Sequence, residues 1–211
     1  MAMTATTPQT LLGGLLPQTG RARLAANMAI VIGGSLLLAL SAQVKVPVMP
    51  VPVTLTTLVV ALLAAGFGWR IGVGAVALYI TQGLAGLPVF ANGGGIGYLL
   101  SPSFGFIVGY LAMAYVIGRF AASAATGPVR TFLVMLAGDA VAFSFGFAWL
   151  LAVAALIVQS GATLPGWLDA GNLVATAFDG AIRPFILWDV LKMAFAALTV
   201  SGLGLALRRR S

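Results

Sequence analysis

With 61% hydrophobic and 7% charged residues over 211 positions, the chain is far more apolar than a soluble domain, in which about a quarter of residues carry charge. It has no Cys and no His, which removes disulfides, thiolate chemistry and the commonest metal ligand and proton shuttle, so metal, redox and nucleophilic enzymes are poor readings. A net charge of +7 would suit nucleic acid, but the basic residues stand singly or at helix ends without interleaved aromatics, so the charge is read as setting orientation in a lipid bilayer.

The pattern predicts an all-α integral membrane protein: a flexible cytoplasmic leader at residues 1–23 and a single domain of six transmembrane helices at 24–211. The leader is polar and lacks the charged start and short apolar core of a secretory signal. The first crossing, 24–42, follows Arg21 and Arg23 and carries Ala25, Ala29 and Gly33 at spacings of four. Small residues in that series let another helix backbone approach closely, so this face docks either a partner or a helix of the same bundle. Residues 43–54, QVKVPVMPVPVT, contain Pro47, Pro50 and Pro52 and predict an extended, stiff connection, with Lys45 as a solvated or headgroup charge.

The second crossing, 55–66, is short unless Thr54, Thr56 and Thr57 extend it, and the third, 71–83, is also short. The third ends in TQGLAGLPVFANGGGIGY, a glycine-rich loop whose backbone can lie close to a ligand. That loop lacks the lysine of a phosphate-binding loop and does not join a strand to a helix, which argues against nucleotide binding. The fourth crossing is placed at 99–119 and the fifth at 130–159. Asp139 lies in the half of the fifth nearer Arg130 and reads as a packing or snorkelling residue before a ligand group. Residues 161–183 form a long connection with Trp167, Asp169, Asn172 and Asp179, and room for a short interfacial helix.

The last stretch, IRPFILWDVLKMAFAALTVSGLGLALRRR at 182–210, starts its helix near Pro184, a residue suited to a first turn. Asp189 and Lys192 stand at i and i+3, which puts them on one helical face. Either charge facing lipid would cost at least ~2.5–3.5 kcal/mol, so the pair must face a protein interior or a wet cavity. It is either an ion pair that locks this helix to its neighbours or a ligand site. Six crossings place Arg21, Arg23, Arg70, Arg119, Arg130 and Arg208 to Arg210 on one side, against Lys45 and Arg183 on the other. By the positive-inside rule both termini are cytoplasmic, and the proline, glycine and fifth connections lie outside. Lys192 is then ~12 Å along its helix from Pro184, beneath those connections, as a capture site for an external solute requires. A proton-coupled carrier using Asp139, Asp189 and Lys192 as a relay is the alternative.

Several separated pieces resemble the BioY family, the biotin-specific substrate-binding (S) components of energy-coupling-factor (ECF) vitamin transporters. They are ALSAQVKVPVMPVPVTLTTL, LYITQGLAGLPVFANGGGIGYLLSPSFGFIVGY, GFAWL and RPFILWDVLK, in an order and spacing similar to the family's over about 35–208. The chain departs at Thr54-Leu55-Thr56-Thr57, where the family usually has TLQT, and at residues 101–106, SPSFGF, where it usually has GPTGGY. The resemblance implies a six-helix protein of a prokaryotic cell membrane that captures biotin from outside, with no cofactor and no metal. It also implies a transmembrane coupling subunit and two cytoplasmic ABC-type ATPases as partners. On that basis Asp189 and Lys192 make polar contacts with biotin, Asn92 recognises an amide, and Phe90, Tyr98 and Trp149 form apolar walls. Ala25, Ala29 and Gly33 would face the coupling subunit.

Overall fold

A computed structural model describes residues 10–17, 20–46, 52–121 and 127–208; the first nine residues, Pro47, Pro50 and the last three lie outside the described residues. Six helices make the bundle: α1 (Gly20–Gln43), α2 (Thr56–Phe67), α3 (Trp69–Leu84), α4 (Phe104–Phe120), α5 (Pro128–Gln159) and, after a short helix α6 (Leu173–Ala181), α7 (Arg183–Arg208). The stretches Gly20–Gln43, Pro128–Gln159 and Ala170–Leu207 are each long and apolar enough to cross a membrane, while α2 and α4 are shorter apolar helices. The 32 residues of α5 span about 48 Å, more than a hydrocarbon core of ~30 Å, so this helix must tilt or project beyond it.

Side chains of α7 sort by face, as its charges require. Leu187 and Phe195 are 66% and 60% exposed, on the side that meets lipid, whereas Asp189 and Lys192 are 2% and 9% exposed on the side that meets the bundle. Helix α1 likewise exposes Leu24, Met28, Ile32 and Leu36.

Close helix approach comes from glycine at contact points. On α4, a Cβ at Gly109 would meet the Ala142 backbone of α5, and one at Gly118 would meet the backbone of Trp69. Such small-residue contacts substitute for a hydrophobic drive that lipid does not supply. Gly68 alone separates α2 from α3 and takes φ +88°, a conformation L side chains rarely adopt, so the chain reverses there in one residue.

Three sequence expectations shift. The fourth helix begins at Phe104 instead of residue 99, because 96–100 form a 3-10 turn and Ser101, preceding Pro102, takes an extended ψ of 135°. Proline disfavours the helical conformation in the residue before it, which ends the run. The two ends of the proline-rich connection pair as a short ribbon: β1 (Lys45–Val46) runs antiparallel to β2 (Val53–Thr54), Lys45 opposite Thr54. The flexible leader expected through residue 23 is corrected over its second half. The helix starts at Gly20, the Leu12 amide donates to the Gly66 carbonyl at 3.0 Å, and Leu11 and Leu12 lie against Gly204 and Gly66. Glycines at the ends of α2 and α7 leave a shallow socket that these leucines fill.

The connections converge at the opposite end. Lys45 Nζ donates to the Ala91 carbonyl at 2.6 Å, tying the ribbon to the glycine loop, and Val53 shares an apolar cluster with Leu168, Ala177 and Ala181 of the fifth connection. The glycine loop folds back on Phe90, which is fully buried with its ring 5.3 Å from Tyr79 and 4.6 Å from Tyr98. The ring lies where a Cβ on Gly83 would stand, so only glycine admits it there.

Candidate functional site

Asp189 and Lys192 meet as an ion pair, Nζ to Oδ1 at 2.5 Å, and both are tied to the far side of the bundle. Thr57, at the start of α2, donates its hydroxyl to Asp189 Oδ1 at 2.6 Å and accepts from Lys192 Nζ at 2.9 Å. Lys192 also donates to the Thr54 carbonyl at the end of β2, at 2.9 Å. An ammonium has three N–H donors, and these three partners use them all. The hydrogen bonds to Asp189 from the described residues fall on Oδ1, so Oδ2 keeps its acceptor capacity.

The pair forms part of the wall of a cavity of about 640 Å³, counted with its opening to solvent. Its apolar wall comes from Phe106, Ile107, Phe143 and Phe185, and Tyr79, Tyr98 and Tyr110 add aromatic faces with hydroxyl tips. Pro52, Thr54 and Ala91 enter from the two connections, so the ribbon and the glycine loop border the space. Aromatic surface with a few convergent polar groups is the usual build of a small-ligand site. Asp169 and Asp179 are spent elsewhere: Asp169 accepts from the Gly171 amide at 2.9 Å, and Asp179 pairs with exposed Arg183 at 3.4 Å.

Of the residues singled out in the sequence, Asp189, Lys192 and Tyr98 stand together on this cavity. Phe90 lies behind Tyr79 and Tyr98, as the anchor of the glycine loop, and is not part of the lining. Trp149 is packed at 5.6 Å against Phe104, also outside the lining. Asn92 is exposed, its Oδ1 3.4 Å from Lys45 Nζ. Ala25, Ala29 and Gly33 are exposed along the outer face of α1, and Gly33 has open space where a Cβ would be.

Sequence reasoning gave Thr57 and Tyr110 no role in the site and placed Asp139 there only in the proton-relay alternative. Thr57 was visible only as a hydroxyl near a helix end. Tyr110 looked like any aromatic in an apolar run. Asp139, read as packing or snorkelling, is 5% exposed and lines the same cavity as Asp189. An acid inside an apolar run was the available signal.

A family model described as the BioY family matches residues 10–209. The chain is 45% identical to a probable biotin transporter BioY of Lysinibacillus sphaericus over 82 residues, covering 39% of this chain and 42% of that one. With the biotin transporter BioY of Thermotoga maritima it shares 33% over 172 residues, covering 77% and 86%. A crystal structure of the S-component for biotin from an ECF-type ABC transporter superposes with a TM-score of 0.69 at 18% identity, covering 88% of this chain and 94% of that chain. That likeness carries the fold. With a membrane-spanning bundle of that architecture and a family match over nearly its whole length, the chain belongs to the BioY family.

Proposed function

We propose that the protein is the substrate-binding component of an ECF-type uptake transporter in a prokaryotic cell membrane, and that it captures biotin in the Asp189–Lys192 cavity. The observation that carries this is the arrangement of Asp189: one oxygen is saturated by Lys192 and Thr57, and the other is left as an acceptor on the wall of an aromatic cavity. Biotin offers two ureido N–H donors, one carbonyl, a thioether ring and an anionic valerate tail. Asp189 Oδ2 accepts a ureido N–H in a charge-assisted bond, stronger than a neutral one. Lys192 keeps Asp189 charged and oriented, and reaches the ureido carbonyl only by releasing one of its present partners. The aromatic wall takes the fused rings. The valerate, repelled by the acids of the floor, points to the rim, where Lys45 and Asn92 stand. Phe90 and Trp149 back the wall from behind.

Equilibrium binding to purified protein in detergent tests this, with biotin beside thiamine and riboflavin. Biotin should bind roughly a hundredfold or more tighter than the other two, because a site built for N–H donors rejects ligands that leave its acceptors unpaired. A wild type that ignores biotin overturns the assignment.

Both termini face the cytoplasm in this reading, and a transmembrane coupling subunit with two ABC-type ATPases drives release inward. The exposed Ala25–Ala29–Gly33 face of α1 is the docking surface for the coupling subunit. Ala29→Trp is expected to abolish uptake in cells while biotin affinity in detergent stays within about threefold, since Ala29 is exposed and away from the cavity. Loss of both in folded protein would mean that the face packs internally. The rival reading, a proton-coupled carrier, is favoured by three charged side chains on one cavity, Asp139, Asp189 and Lys192. It predicts uptake in cells lacking the ATPases, with dependence on the proton gradient.

A further inference from the structure

Asp139 is a carboxylate on the cavity wall outside the hydrogen-bonded network of Asp189, Lys192 and Thr57. It comes from α5 and is 5% exposed, and its Oδ1 has no hydrogen-bond partner among the described residues. The nearest cation on the cavity, Lys192, has its three N–H groups on Asp189, Thr57 and Thr54. Ala142 and Phe143 beside it on α5 have no side-chain donor, and the hydroxyls of Tyr79, Tyr98 and Tyr110 on the same cavity make no hydrogen bond to its Oδ1. A buried acceptor with no donor is costly, and packing does not explain it: an apolar side chain of similar volume would fill the space without that cost. Asp139 also lines the cavity, so its carboxylate can meet what enters there.

Resting on the biotin reading, we propose that Asp139 is a second ligand-contacting residue whose carboxylate accepts one ureido N–H while Asp189 accepts the other. Biotin's neutral donors are its two ring N–H groups, which point away from each other on either side of the carbonyl. Two carboxylates on different helices, α5 and α7, can straddle such a ring, whereas one carboxylate cannot satisfy both edges. The ureido ring thereby bridges α5 to α7 and is held deep in the cavity, with the tail directed outward. Asp139 discriminates for ligands with two N–H donors on opposite edges of a ring.

The test uses wild type, Asp139→Asn and Asp139→Leu, each checked for folding by thermal melting. The ligands are biotin and the two lactam analogues in which one or the other ring N–H is replaced by CH2. Asparagine keeps a carbonyl acceptor, so Asp139→Asn should hold biotin within about threefold. Asp139→Leu leaves a ring N–H unpaired and should weaken biotin roughly ten- to hundredfold. The same substitution should cost the lactam that lacks the facing N–H about threefold or less. If Asp139→Leu does not fold, Asp139→Ala is read in the same way. The proposal is overturned if the folded variant binds biotin like wild type, or loses biotin and both lactams equally, as a purely structural residue would. In either case wild type still binds biotin and the parent reading stands. A wild type that does not bind biotin overturns both.

Discussion

Lys192→Ala protein is expected to lose biotin affinity by roughly a hundredfold or more and to lose about 3–5 kcal/mol of stability, because it leaves a buried carboxylate without its counter-charge. The geometry makes this more severe than removal of a surface pair. Lys192 ties Asp189 of its own helix to Thr57 on α2 and to the Thr54 carbonyl at the end of the ribbon, so its loss releases three elements at once. Asp189 would keep a hydrogen bond from Thr57, at 2.6 Å, which supplies no charge. The double variant Asp189→Leu/Lys192→Met separates folding from function. Replacing a buried ion pair by apolar side chains of similar volume is often neutral or stabilising, so melting should return near wild type while biotin binding stays lost. Detergent-solubilised melts and equilibrium binding on the three proteins decide the matter. A Lys192→Ala protein that binds biotin normally would mean that the pair is only a helix lock.

The second large effect is expected at Gly109, where the contacts involve no charged side chain. A Cβ there would approach the Ala142 carbonyl oxygen to 2.7 Å, its Cα to 2.8 Å and Phe145 Cβ to 3.0 Å. Two of these are backbone atoms that no rotamer change can move. Overpacking costs about 1–3 kcal/mol where side chains can adjust, so Gly109→Val should reach or exceed the top of that range as α4 and α5 are forced apart. Ala142 lines the cavity one turn from Asp139, so the displacement also moves the binding wall, and biotin affinity should fall by roughly tenfold or more. Gly202 is the control. It lies on α7 with nothing within 4 Å of the point where a Cβ would stand, so Gly202→Ala should be neutral or stabilising by about 0.5–1 kcal/mol. Equal destabilisation by both substitutions would show that helix propensity, and not contact, governs these glycines.

Much of the fold is legible because lipid imposes a simple rule: backbone polar groups must be satisfied within helices, so apolar runs report crossings directly. The bounds of α2, α3, α5 and α7 fall within a few residues of the expected ones, and α6 lies in the connection expected to hold a short helix. The start of α4 was less legible, since an apolar run continues through Leu99 and Leu100 and hydropathy does not register the proline-imposed break at Ser101. The docked residues 10–16 were hidden for another reason. Their only signal is a pair of leucines, whose partners are glycines roughly 55 and 190 residues away.

The sequence by itself determined that this is a helical membrane protein and that Asp189 and Lys192 share an inward face, because helical periodicity is set within one turn and lipid does not tolerate bare charge. The tertiary structure alone decided what that face meets. Thr57 reaches Asp189 across 132 residues of chain, and Asp139 arrives from α5, while Phe90 and Trp149 end up behind the cavity wall instead of on it. Those placements follow from how closely α4 and α5 approach and where the glycine loop folds back, and both depend on contacts between segments that no local pattern connects.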